Sequence, residues 1–275
     1  MIIMVLGAIK GLYCLKMIDT HAHLSDQAFE GRLDEVVRSA EDVGVERIIV
    51  PSVDLQDAIK VKSIAKQYKG VYALVGVHPE KVINEPEFKL EIDKLVKLIK
   101  GEERVVGIGE IGMDFYWDKQ KKTKKAQVEL FKKQLGLAVV MGLPVVIHMR
   151  EAEKEMVEVI RSMDRVPRGQ FHCWSGGRDF LKLVLRKGFY VSFGGNVTYK
   201  KNEALLALVR QTPPERLVLE TDSPYLAPGE LRGKMNEPKN VRIVASFLAG
   251  LHEKSVEEIN EITSKNALEL FNKMN

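Results

Sequence analysis

Pro144-Val145-Val146-Ile147-His148, followed by Met149-Arg150 and the amphipathic stretch 151–163, is the unit whose reading decides the fold. Three consecutive apolar residues with no polar alternation suit a strand buried on both faces, and His148 marks its polar end. The longer amphipathic segment behind it reads as a helix covering that strand. The same unit recurs outward in both directions. Strands are predicted at 17–21, 47–53, 71–77 and 105–110 before it, and at 169–173, 189–193 and 217–221 after it. Between and beyond them lie helical segments at 33–43, 55–68, 88–100, 124–141, 151–163, 178–187, 203–210, 241–252 and 256–272. Strand–helix alternation implies parallel pairing through right-handed crossovers. Eight such units without a Pro/Gly-rich linker point to one α/β domain over 17–275, a (β/α)8 TIM-type barrel. A doubly wound open sheet is the competing architecture, but no glycine-rich phosphate loop follows the first strand.

The composition is that of an ordinary enzyme. The 275 residues are 45% hydrophobic and 29% charged, with a net charge of +4, which permits a polyanionic partner without requiring one. No apolar run is long enough to span a bilayer. Cys14 and Cys173 provide no disulfide framework, so the reducing cytoplasm is the expected location. Residues 1–16 hold Ile2, Ile3, Val5, Leu6 and Ile9 but lack a basic start and a cleavage signature. They read as an N-terminal extension packed on the domain, or as an upstream start ahead of Met17.

Five of the six histidines fall at or just after a predicted strand end: His21, His23, His78, His148 and His172. The sixth, His252, sits on a terminal helix and reads as solvent-exposed. In a parallel barrel those strand ends open on one face, where such enzymes keep their active sites. On a continued first strand, Asp19, His21 and His23 share a face. Glu110 and Asp222 join them, and a carboxylate ending an apolar strand is costly unless paired or metal-bound. His21, His23, Glu110, His148, His172 and Asp222 therefore form a candidate ligand set for two divalent ions. By spacing, His21 and His23 share one ion, His148 and His172 the other, and Glu110 is long enough to bridge. Imidazole richness favours Zn, Mn or Co over Mg. The chemistry this supports is hydrolysis by metal-activated water, with Asp222 handling the proton.

The motifs MIDTHAHL (17–24), GVHP (76–79), VGIGEIGMDF (106–115), VVIHMRE (145–151), FHCWSGG (171–177), LETDSPYLAP (219–228) and RGKMNEP (232–238) occur in that order. Together they make the chain resemble the TatD-type metal-dependent deoxyribonucleases of the amidohydrolase-like superfamily, from Met17 to about Phe271. The resemblance implies a (β/α)8 barrel, metal held by the same six residues, and hydrolysis of DNA phosphodiesters, often exonucleolytic. Trp174 and Met149 depart from the commonest wording of the family and bear on substrate shape.

His78, Arg150, Arg232 and Asn236 are candidates for holding the substrate phosphate, the last two, with Lys234, on the long loop after the eighth strand. Glu220 is expected to orient a ligand or an inner polar layer, and Cys173 to face the core. The five lysines of the run 119–125 and Trp117 before it are either a solvated edge or a guide for a nucleic-acid backbone and base. The partner implied is DNA, possibly RNA, with no membrane and no obligate protein partner. A small-molecule amidohydrolase or phosphotriesterase on the same scaffold is the competing enzyme. A nucleic-acid-binding barrel without catalysis is disfavoured because no ligand is missing.

Overall fold

The computed structural model describes residues 16–200 and 202–275. Eight strands lie in sequence order in one parallel sheet: β1 (Met17–Asp19), β2 (Val45–Pro51), β3 (Val71–Leu74), β4 (Val105–Asp114), β5 (Val145–Arg150), β6 (Gly169–Phe171), β7 (Tyr190–Phe193) and β8 (Leu217–Leu219). The last strand returns to the first. Thr20 N donates to Leu219 O at 2.9 Å, and Ala22 bridges Ser223 in parallel register. The (β/α)8 barrel is thus closed as a single domain.

Among the described residues ten α-helices surround it: α1 (Leu33–Glu41), α2 (Leu55–Gln67), α3 (Glu80–Asn84), α4 (Ile92–Ile99), α5 (Lys124–Met141), α6 (Glu153–Ser162), α7 (Arg178–Arg186), α8 (Glu203–Gln211), α9 (Val241–Leu251) and α10 (Val256–Leu270). None is long and apolar enough to cross a membrane. Apart from Lys16, the expected extension over 1–16 lies outside the described residues, as does Cys14.

The hydrophobic interior has two parts. One fills the ring between strands and helices. The other lies inside the barrel, where Ile18, Ile49, Leu74, Val106, Val146, Tyr190 and Val218 point inward, closed off below by Leu270, Phe271 and Met274. One strand end is therefore sealed with apolar side chains, and the opposite end is left to polar groups.

Two departures from the expected boundaries shape that polar end. β1 stops at Asp19, so His21 and His23 sit in a loop. Asp19 turns away from them: its carboxylate accepts from the backbone N of His21 and Thr221 and from Thr221 Oγ1. It braces the loop and does not join the histidines. β4 instead runs four residues past Glu110, to Asp114. Gly112 makes this possible. Its φ is +153°, and a Cβ there would lie 1.9 Å from His148 O. Only glycine lets β5 approach this closely.

Candidate metal centre

The site residues come from strands or the segments just beyond them. Glu110 lies within β4, His148 within β5, His172 just past β6, and Asp222 three residues past β8. The backbone there is bent sharply: Glu151, Cys173, Asp222 and Leu226 all have φ between +43° and +56°. Left-handed non-glycine residues are costly and gather where side chains must be aimed.

Glu110 is the hub. Its carboxylate is 3% exposed, and its two oxygens face two different sets of imidazoles. Oε2 lies 3.3 Å from His21 Nε2 and 3.5 Å from His23 Nε2. Oε1 lies 2.8 Å from His148 Nδ1, 2.7 Å from His172 Nε2 and 3.6 Å from His78 Nε2. Asp222 Oδ1 closes the first set at 3.6 Å from His21 Nε2 and 3.5 Å from His23 Nε2. The two histidines themselves meet at 3.1 Å, Nε2 to Nε2.

Burial would push the Glu110 carboxyl up, but the imidazoles of His172, His21 and His78 and a hydrogen bond with His148 hold it well below the usual range. Burial likewise opposes ionisation of Asp222, and His23, His21 and His172 more than offset it. Burial drives His21 down to about 4 and His78 to about 3. His148 is desolvated too, yet its hydrogen bonds to Asp114 and Glu110 carry it up to about 9.

This donor set fits divalent cations. Three triads (His21, Glu110 and His172; His21, His23 and Asp222; His78, Glu110 and His148) each bring their ligating atoms within 4.8 Å of one another. Among the described residues no lysine or arginine is ion-paired with Glu110 or Asp222. Histidines alone face these buried carboxylates. A bound cation is the group that satisfies converging imidazole nitrogens and carboxylate oxygens together.

His78, expected at the phosphate, thus stands inside the donor cluster. Arg150 lies at the rim of a cavity of about 820 Å³ above it, whose walls include His23, His148, Asp222, Trp117 and Met149. Arg232 does not line that cavity, and its guanidinium rests 4.3 Å from the ring centre of Tyr199. Asn236, also expected at the phosphate, does not face the cavity. It is fully buried, its amide N donates to Thr221 O and Tyr225 O, and its Oδ1 accepts from Glu237 N and Asn240 Nδ2. Nothing is left for a phosphate; the side chain ties down the loop behind Asp222. Asn236→Ala should accordingly destabilise the fold by about 3 kcal/mol, the cost of stranding buried carbonyls, as read from chemical denaturation. A variant that keeps wild-type stability but binds substrate poorly would restore the contact role.

Further readings change. Cys173 was expected in the core, but it lines the cavity. Burial, with Asp222 and Glu220 beside it, pushes its thiol well up, so it is held protonated. His252 is half-buried, its Nε2 without a partner, and burial lowers its pKa. Trp174 is stacked against Phe180 at 5.2 Å in the core and does not shape the cavity, whereas Met149 does. Glu220 accepts from Ser192 Oγ and Cys173 N and lies 3.9 Å from His172 Nδ1, so it braces that segment.

One residue escaped sequence reasoning. Asp114 Oδ2 is 3.0 Å from His148 Nε2 and orients that ring from behind. Gln127 fixes Asp114 in turn through both its backbone groups. The signal was present, because Glu110, Gly112 and Asp114 share one face of a strand at period two. A strand ending at Glu110 hides that signal, and pairing with β5 carries the strand on to Asp114.

A barrel with imidazoles and carboxylates converging at one mouth defines a metal-dependent hydrolase by fold and site. The model of the TatD related DNase family matches residues 18–272, and the chain belongs to that family. It is 37% identical over 256 residues to the metal-dependent hydrolase YabD of Bacillus subtilis, covering 93% of this chain and 98% of YabD. It is 34% identical to the metal-dependent hydrolase MJ1582 of Methanocaldococcus jannaschii, covering 94% and 97%. The crystal structure of the TatD homologue YjjV of Escherichia coli superposes with a TM-score of 0.86 at 27% identity, over 94% of this chain and 99% of that one.

Proposed function

We propose that this hydrolase cleaves phosphodiester bonds in nucleic acid, DNA foremost, from a strand end, using two divalent ions. The division of the two Glu110 oxygens between the His21/His23 side and the His148/His172 side carries this reading. His21, His23 and Asp222 would hold one ion, His148 and His172 the other, with Glu110 shared and His78 adjoining the second set. Bound ions supply Lewis-acid activation of water and of the phosphoryl group. Asp222, on the cavity wall, accepts the proton of the attacking water. Glu110 neutralises positive charge between the two halves and keeps the imidazoles facing inward. Asp114 holds the His148 ring, and Arg150 presents a guanidinium to the diester's non-bridging oxygens. A cavity of about 820 Å³ suits one or two nucleotides, which favours a strand end over an intact duplex.

The test is cleavage of 5′- and 3′-labelled single- and double-stranded DNA, and of RNA, with Zn, Mn, Co and Mg in turn. Stepwise shortening from one end that a chelator abolishes is expected. Failure to cut any nucleic acid with any metal, alongside turnover of a small ester or amide, would transfer the site to a small-molecule hydrolase.

A further inference from the structure

The loop between β4 and α5 (115–123) carries a feature that the hydrolytic centre does not use. Trp117 is 66% exposed, yet it lines the same cavity as His148 and Arg150. It is not loosely held. Its backbone N donates to Asp114 Oδ1 at 3.2 Å and that of Tyr116 donates at 2.8 Å, so the carboxylate that orients His148 also sets the start of this loop. Asp118 fixes the other end by accepting from the backbone N of Lys122 and Thr123 and from Thr123 Oγ1.

Tyr116 meets Trp117 edge-on at 4.8 Å, and the Arg150 guanidinium lies 3.6 Å from the Tyr116 ring centre. Stacking on a ring uses the guanidinium's face and leaves its in-plane N–H donors free. Among the described residues no carboxylate pairs with Arg150. Lys119 also approaches this aromatic pair, with Nζ 5.5 Å from the Tyr116 ring centre. Two lysines of the run, Lys121 and Lys124, are absorbed by the buried carboxylate of Glu155. Lys119, Lys122 and Lys125 have no such partner among the described residues and are exposed.

We propose that Trp117 and Arg150 form a nucleotide subsite. The base next to the scissile phosphate stacks on the Trp117 indole, Arg150 keeps its grip on that same phosphate, and Lys119 and Lys122 carry the backbone away over the N-terminus of α5. An indole can take a base face only where the base is unpaired, so the subsite selects single-stranded or frayed ends. This rests on the nuclease reading for its reaction, but its binding geometry can be tested apart from cleavage.

The chain has two tryptophans, and the second, Trp174, is 2% exposed. Of the two, a base bound in the cavity can stack only on Trp117, so quenching of the intrinsic fluorescence by a bound base reports on that residue, while the buried Trp174 contributes a constant background. Stopped-flow mixing of the metal-loaded protein with excess oligothymidylate should quench the emission within the binding phase. An abasic oligomer of equal length should quench much less. In parallel, Trp117→Ala should lower kcat/KM on the oligonucleotide by roughly 10- to 100-fold, the range carried by one base–aromatic stack. The loss should be at least tenfold larger than on bis(p-nitrophenyl) phosphate, and Trp117→Phe should recover most of it. Equal quenching by the abasic oligomer, or equal losses on both substrates, overturns the subsite even if DNA is cleaved. Base-dependent quenching without cleavage of any nucleic acid supports the subsite and overturns the nuclease reading.

Discussion

Glu110→Gln should yield a folded protein that has lost most of its metal. Glutamine has the shape of glutamate, and its amide can still meet His148 and His172, which lie 2.8 and 2.7 Å from Glu110 Oε1. What disappears is the negative charge shared by the two sets of imidazoles. Loss of an outer partner of a metal ligand already costs roughly 10- to 100-fold in affinity. Removing a carboxylate that faces five imidazoles should exceed that, so kcat/KM at limiting metal should fall by more than roughly 100-fold. Elemental analysis after dialysis, calorimetric titration with Zn and Mn, and the thermal midpoint of the metal-free protein separate metal loss from misfolding. Full metal content with near-normal turnover would remove Glu110 from the centre.

Asp222→Asn should be the complementary case, in which chemistry fails more than metal binding. The backbone of Asp222 is left-handed, at φ +56°, and its N–H donates to His21 O at 2.9 Å. Asparagine tolerates this conformation about as well as aspartate, so the loop should survive the exchange. The variant keeps an oxygen near His21 and His23 but cannot take a proton at neutral pH. The expected loss in kcat is ~10²–10⁴-fold, as for acid–base groups, with a smaller drop in metal content. Asp222→Ala should lose activity too, and should also destabilise the protein by roughly 1–2 kcal/mol, because alanine has no polar side chain to ease the left-handed turn. Near-normal turnover of the asparagine variant would take the proton role away from Asp222.

How far the site could be read in advance differs by residue. The alternation of apolar runs and amphipathic segments located all eight strands, because strands buried on both faces leave a signature that survives without tertiary context. Boundaries were less legible. Residues 80–84 form a short helix that the pattern did not reveal, and the segment at 88–100 becomes helical only from Ile92. The extension of β4 to Asp114 depends on pairing with β5, where Gly112 faces His148 and Asp114 faces Arg150. No residue within β4 announces that partner.

The sequence by itself determined the barrel and the polar side chains that strand ends would deliver to one mouth. Both follow from local periodicity and from a rule of parallel topology. Only the tertiary structure decided what each polar residue does there. It divided the oxygens of Glu110 between two histidine sets and drew His78 into the donor cluster. It enlisted Asp114 behind His148 and spent every hydrogen bond of Asn236 on the loop after β8. Asp19 and Cys173 exchanged their expected surroundings for the same reason. A side chain's role depends on which atoms lie within about 3 Å of its polar tip. Those atoms come from strands far apart in the chain, brought together only when the barrel closes.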